Sequence, residues 1–112
     1  MARQPEFIGE FEQMVLLAVL QLGDKAYAVP IREELAKRAH RKITRGALYT
    51  TLDRLEAKAY LRSHFGDPVP ERGGRARRYY AVTARGIAAL RTSREAFRKL
   101  CQGLDTILGE GS

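Results

Sequence analysis

The side chains best equipped for chemistry in this sequence are arginines, and the chemistry is anion binding. Arg72, Arg75, Arg77 and Arg78 follow a run of turn formers, Gly66-Asp67-Pro68-Val69-Pro70, and enclose Gly73-Gly74. A guanidinium presents a planar fork of donors that matches phosphate oxygens. Four of them on a glycine-freed loop can follow a phosphate backbone or enter a narrow minor groove. Taken separately, such a loop also reads as ordinary solvated surface. Nucleophilic and metal chemistry have less to work with. There is one cysteine, Cys101, and the two histidines, His40 and His64, are far apart and outside any ligand-spaced motif, so no zinc site is expected. Gly73-Gly74 lacks the Gly-x-Gly-x-x-Gly pattern of a phosphate loop. Cys101 reads most simply as a small apolar residue; a redox-sensing thiol is the sharper alternative, with no neighbouring base to activate it. The sequence predicts no catalytic residue, no metal and no cofactor.

The arginines gain meaning from the stretch before them, Ile43 to Leu61 (ITRGALYTTLDRLEAKAYL). It reads as one amphipathic helix. Thr44 can serve as N-cap, and Ile43 and Leu48 as the two ends of a hydrophobic staple. Leu48, Leu52 and Leu55 fall on one narrow face. The opposite face carries Gly46, Thr50, Asp53 and Ala57, flanked by Ala47, Tyr49 and Arg54. Small and hydrogen-bonding groups turned outward let a helix lie close to another surface, and a DNA major groove is one such surface. An ordinary surface helix would read the same way if nothing followed it.

The remaining elements must position these two. Phe11 to Leu22 is apolar almost all round and is placed at the centre of the core. Gly23 should end it as a left-handed cap, with Asp24-Lys25 turning. A second helix spans about Tyr27 to Ala39, with Tyr27, Ile31 and Leu35 on its buried side and Pro30 confined to the first turn. His40-Arg41-Lys42 leads directly into the third helix. After Leu61 the period changes from helical to alternating, giving a strand through Phe65 and a second at about Ala76 to Val82: a β-hairpin. Thr83 should cap a last helix. Its Ile87, Leu90, Arg94, Phe97, Cys101, Leu104 and Leu108 form a heptad-type seam, about 37 Å long if unbroken.

Composition fits one domain with a partner. The 112 residues, 45% apolar, suffice for a single core. Twenty Lys and Arg against thirteen Asp and Glu give a net charge of +7 and a pI near 10.0, which suits a polyanion, either nucleic acid or a membrane surface. The apolar run Met14 to Leu22 is too short to span a bilayer and is preceded by acids instead of the positive charge of a secretory signal. A lone thiol and no signal make a cytoplasmic setting the expectation.

Three helices, a hairpin and a helix are the order of a winged helix-turn-helix. GALYTTLDRLEAKAYL, PERGGRARRYYAVTARG and FEQMVLLAVLQLGDKAYAVPIREEL resemble the PadR family of bacterial transcriptional regulators, over about Gly9 to Leu104. The resemblance implies a dimeric winged-helix repressor of operator DNA, of the short type with one C-terminal helix for dimerisation. It implies that Tyr49 lies near phosphates and that Arg75 to Tyr80 belongs to the wing. Ala28 and Pro30 depart from the residues more usual there. Tryptophan is absent, whereas some short relatives use aromatic rings at the dimer interface to stack planar drugs.

The expectations are therefore specific. The fold is mainly α with a small β-hairpin: a winged helix-turn-helix DNA-binding domain at 1–83 and a C-terminal dimerisation helix at 84–112. The protein is a sequence-specific regulator, a dimeric repressor released by an unknown small-molecule effector. Its partners are double-stranded DNA with a palindromic operator and a second copy of itself, and no membrane. The recognition helix contributes Thr44, Arg45, Gly46, Ala47, Tyr49, Thr50, Asp53 and Arg54; the wing contributes Arg72, Gly73, Gly74, Arg75, Arg77 and Arg78. The dimer interface contains Phe11, Leu90, Phe97, Cys101 and Leu104. The alternative is a winged-helix module for protein or RNA contact that uses its basic wing as a general polyanion grip.

Overall fold

Leucine spacing and two threonine caps decide where the helices lie. The computed structural model describes residues 6–66 and 76–109. It contains α1 (Glu10–Leu22), a 3₁₀ turn (Gly23–Lys25), α2 (Ala28–Ala39), α3 (Arg45–Ala57), β1 (Leu61–Phe65), β2 (Arg78–Val82), α4 (Ala84–Cys101) and α5 (Asp105–Leu108). The hydroxyl of Thr44 accepts from the Ala47 backbone N–H at 3.0 Å, and that of Thr83 from the Gly86 N–H at 3.0 Å, so both predicted N-caps are formed. Pro30 falls in the first turn of α2, where a missing N–H leaves no bond unmade.

The core lies where α1, α2, α3 and the hairpin meet. Val15, Leu16 and Val19 of α1 face Ile31 and Leu35 of α2 and Leu48, Leu52 and Leu55 of α3, all buried. Each such leucine contributes about 2 kcal/mol by leaving water. Leu61 and Tyr80 close the core from the hairpin. The strands pair antiparallel with Leu61 opposite Val82 and Ser63 opposite Tyr80. The free edge of β2 is tied to the α1–α2 turn, because the Tyr80 N–H donates to the Ala26 carbonyl at 2.8 Å. That bond holds the wing against the body of the domain.

Four expectations change. The third helix stops at Ala57 and not at Leu61. Ala59 takes a left-handed conformation (φ 65°); its N–H donates to the Glu56 carbonyl, and the Tyr60 N–H donates to Leu55, a Schellman closure. Tyr60 and Leu61 are the reward, 5% and 2% exposed in the core. Gly23 has positive φ, but its ψ of −124° carries it into the 3₁₀ turn instead of a left-handed helical cap. The second strand begins at Arg78, two residues later than the alternation suggests.

The last helix is also broken. It ends at Cys101, Gly103 adopts φ 80°, and a separate short α5 follows. Gly86, Ala89, Leu90 and Ser93 form the face of α4 turned into its own domain. Gly86 is required there, since a Cβ would lie 2.4 Å from the Tyr60 carbonyl oxygen. Leu90, expected at the dimer interface, is 4% exposed and belongs to the core of its own chain. Beyond Ser93 the helix leaves the domain, and Phe97 and Leu100 are 70% and 79% exposed.

Candidate nucleic-acid interface

The exposed side of α3 is set by what is buried behind it. With Leu48, Thr51, Leu52 and Leu55 inward, Thr44, Arg45, Gly46, Ala47, Thr50, Asp53 and Arg54 are all exposed, and Tyr49 is half-buried at the edge. The predicted recognition-helix residues therefore share one surface. On the buried side the Thr51 hydroxyl bonds back to the Ala47 carbonyl at 3.1 Å. The entry to α3 is fixed from α2: the Arg32 guanidinium donates through Nε and Nη2 to the Ile43 carbonyl at 3.2 and 3.1 Å. Arg32 carries no local sequence signal for this role, because only the fold brings it across the turn.

The root of the wing stands beside this surface. The Arg77 guanidinium lies over the Tyr27 ring, 4.1 Å from its centroid. Tyr27 meets Tyr79 edge to face at 5.6 Å, and Tyr79 stacks on His64 at 5.7 Å. Tyr27, Ala28, Val29, Arg45, Tyr49, Ala76, Arg77 and Arg78 enclose a cleft of about 500 Å³ between α2, α3 and the wing. Arg45 and Arg77 make no ion pair among the described residues, so the cleft presents positive charge next to the exposed helix. Tyr27, read from the sequence as a core-facing position, instead supports an arginine with its ring.

Arg78 behaves differently. Its Nη2 donates to Glu56 Oε1 at 2.6 Å and its Nε to Ser63 Oγ at 3.0 Å. This residue, expected among the DNA contacts of the wing, is paired within the protein. Arg72, Gly73, Gly74 and Arg75 lie outside the described residues. Beneath α3, burial pushes the Tyr80 phenol above its ordinary value; Arg78 opposes this, and Tyr49, Asp53 and Glu56 add to it.

Among the described residues no group of His, Cys, Asp and Glu is placed to hold a metal ion, and no helix is long and apolar enough to cross a membrane. Cys101 is a free, half-buried thiol beside Met14, Leu17 and Phe97 at the α1–α4 groove.

A helix-turn-helix formed by α2 and α3, with an antiparallel hairpin set beside α3, defines the winged helix-turn-helix class of DNA-binding fold. The transcriptional regulator PadR-like family model matches residues 16–92, and the chain belongs to that family of transcriptional regulators. Solved structures agree on the fold. A PadR family regulator from Eggerthella lenta is 28% identical, with 91% of this chain and 88% of that one covered at a TM-score of 0.66. One from Clostridium difficile is 21% identical, with 88% and 98% covered at 0.68. A PadR-like regulator from Bacillus cereus is 19% identical, with 91% and 93% covered at 0.70. No protein of curated function matches the sequence.

Proposed function

We propose that the protein is a homodimeric, sequence-specific regulator that represses transcription from a palindromic operator until an effector releases it. The observation that carries this reading is the exposed face of α3 lying next to a cleft that holds Arg45 and Arg77. Thr50 and Arg54 project from that face to meet base edges or nearby phosphates. Arg77, with Arg72 and Arg75, supplies sequence-independent phosphate or minor-groove contacts.

Dimerisation is supported by the far half of α4. Phe97 and Leu100 leave the domain uncovered, with Leu104, Ile107 and Leu108 exposed beyond them. Met14, Leu17, Phe97 and Cys101 form the apolar floor of a groove of about 530 Å³ between α1 and α4, rimmed by Glu10, Gln13, Arg94 and Arg98. A second copy would cover both. The interface thus shifts from the expected set: Phe97, Cys101 and Leu104 remain, and Leu100 joins them. Leu90 drops out, and Phe11 packs on its own core beneath Arg41. The winged body ends in this view near Ser93, and the dimerisation segment begins at Arg94. Two-fold pairing would set two α3 helices about 34 Å apart, one DNA turn.

Selection of bound DNA from a random duplex library with the purified protein tests the reading. The expected product is one inverted repeat with half-sites a helical turn apart. Recovery of unrelated sequences with equal affinity would overturn it in favour of a general polyanion grip.

A further inference from the structure

Arg78 is held by the recognition helix through a closed ring of three bonds. Arg78 Nη2 reaches Glu56 Oε1 at 2.6 Å, Arg78 Nε donates to Ser63 Oγ at 3.0 Å, and the Ser63 hydroxyl donates to Glu56 Oε2 at 2.7 Å. The ring joins α3, β1 and β2. The Arg78 and Glu56 side chains are 35% and 31% exposed, so the pair is less screened than an open surface pair and each partner is fixed by a second bond. The guanidinium also lies over the Tyr80 ring, 5.4 Å from its centroid. Glu56 occupies the wing-ward edge of α3, where Tyr49 and Asp53 precede it at helical spacing.

Two consequences follow from the geometry. A helix that reads bases and a wing that follows the backbone must meet the duplex together, and small misplacements of one relative to the other lose contacts. The Glu56–Ser63–Arg78 ring fixes that relation before DNA arrives. Secondly, a released Arg78 would be one more mobile cation beside Arg45 and Arg77, able to contact phosphate on any sequence. Sequence-independent affinity would then rise without any gain at the operator.

We propose that Glu56 is a positioning residue that determines specificity: it sets the wing against α3 and keeps Arg78 off the phosphate backbone. The proposal rests on the DNA-binding reading above.

The test compares the full chain with Glu56→Gln, Glu56→Asp, the double variant Glu56→Gln/Arg78→Gln, and Glu34→Gln. The last removes an equal charge from another ion pair, that of Glu34 with Arg38 on α2. Affinity is measured for the selected operator and for a random duplex over a range of salt. Glu56→Gln should bind random DNA more tightly, with a log–log salt slope steeper by about 0.9 for each Arg78 that reaches a phosphate. Its ratio of operator to random affinity should fall about tenfold. Glu56→Asp keeps the charge and shortens the arm by one methylene, so it should show the same changes, and it carries the test if Glu56→Gln is unfolded. The double variant should return the slope to the wild-type value, and Glu34→Gln should leave the ratio unmoved. An unchanged slope and ratio in a folded Glu56 variant overturns the proposal, as does a steepening that persists without Arg78 or that Glu34→Gln reproduces. A wild-type chain that prefers no sequence overturns the functional reading itself, whereas preserved preference with silent Glu56 variants overturns this inference alone.

Discussion

The backbone N–H of Ile8 donates to the hydroxyl of Ser93 across 3.1 Å, a bond between residues 85 apart in the chain. The Ile8 carbonyl is met in turn by Gln13 Nε2 at 2.9 Å. The segment ahead of α1 is thereby fastened to the middle of α4, at the point where α4 leaves the domain. Both Ile8 and Ser93 are buried. Ser93→Ala should cost about 1–2 kcal/mol, because a buried N–H is left without a partner. Urea denaturation measures this; an unmoved midpoint would mean that the N–H finds another acceptor.

The α3 surface and the wing should separate in their response to substitution. Arg77→Ala should weaken binding to all duplexes alike and lower the salt slope by about 0.9 for each lost phosphate contact. Thr50→Ala should instead change preference among operator variants, by roughly 1 kcal/mol or more where it reads a base. Competition binding across a set of single-base variants distinguishes them, and equal loss on all duplexes would assign Thr50 to the backbone.

The two halves of α4 should differ as sharply. Phe97→Asp places a charge on the uncovered half and should give folded monomers with weakened operator binding, since a single subunit binds only half a site. Leu90→Asp places the same charge inside the core and should unfold the chain, at a cost of several kcal/mol. Sedimentation with circular dichroism reads both outcomes. A Phe97→Asp protein that remains dimeric would move the interface elsewhere.

Tyr80 should govern behaviour in alkali. Its hydroxyl finds no hydrogen-bond partner among the described residues, and burial holds its pKa above the ordinary tyrosine value. Tyr60 is raised too, by burial first and then by Glu6. A folded pKa above the unfolded one means that ionisation of either phenol takes nothing from stability below about pH 10, and that stability is lost as pH rises through the folded values. Tyr80→Phe should lessen that alkaline loss, leaving the part due to Tyr60. Near neutral pH it should be neutral or stabilising by up to about 1 kcal/mol, because an unpaired buried hydroxyl is removed. A thermal melting series from pH 7 to pH 11 checks both expectations, and a clear destabilisation at pH 7 would show that the hydroxyl is bonded after all.

Helix periodicity, caps and strand alternation were readable because they are local. Leu48, Leu52 and Leu55 specify which side of α3 is inward, and hence which residues remain outside. Thr44 and Thr83 mark helix starts by chemistry that operates within one turn. The ends were harder. Ala59 carries no local signal for a left-handed residue, which costs an alanine about 1 kcal/mol relative to glycine; it is held there by the burial of Tyr60 and Leu61. The same limit explains α4. A seam of apolar residues looks continuous in sequence, yet its first half is used by its own domain and its second half is not.

From the sequence alone came the order of elements, the outward face of α3 and the basic character of the wing, since spacing, caps and charge are properties of neighbouring residues. Tertiary structure decided what Arg77 and Arg78 each meet. Arg77 rests on the ring of Tyr27, and Arg78 is neutralised by Glu56, although the two arginines are adjacent in the chain. Arg77 precedes β2 and Arg78 opens it, and only packing of the hairpin against α2 and α3 determines that one meets an aromatic ring and the other a carboxylate.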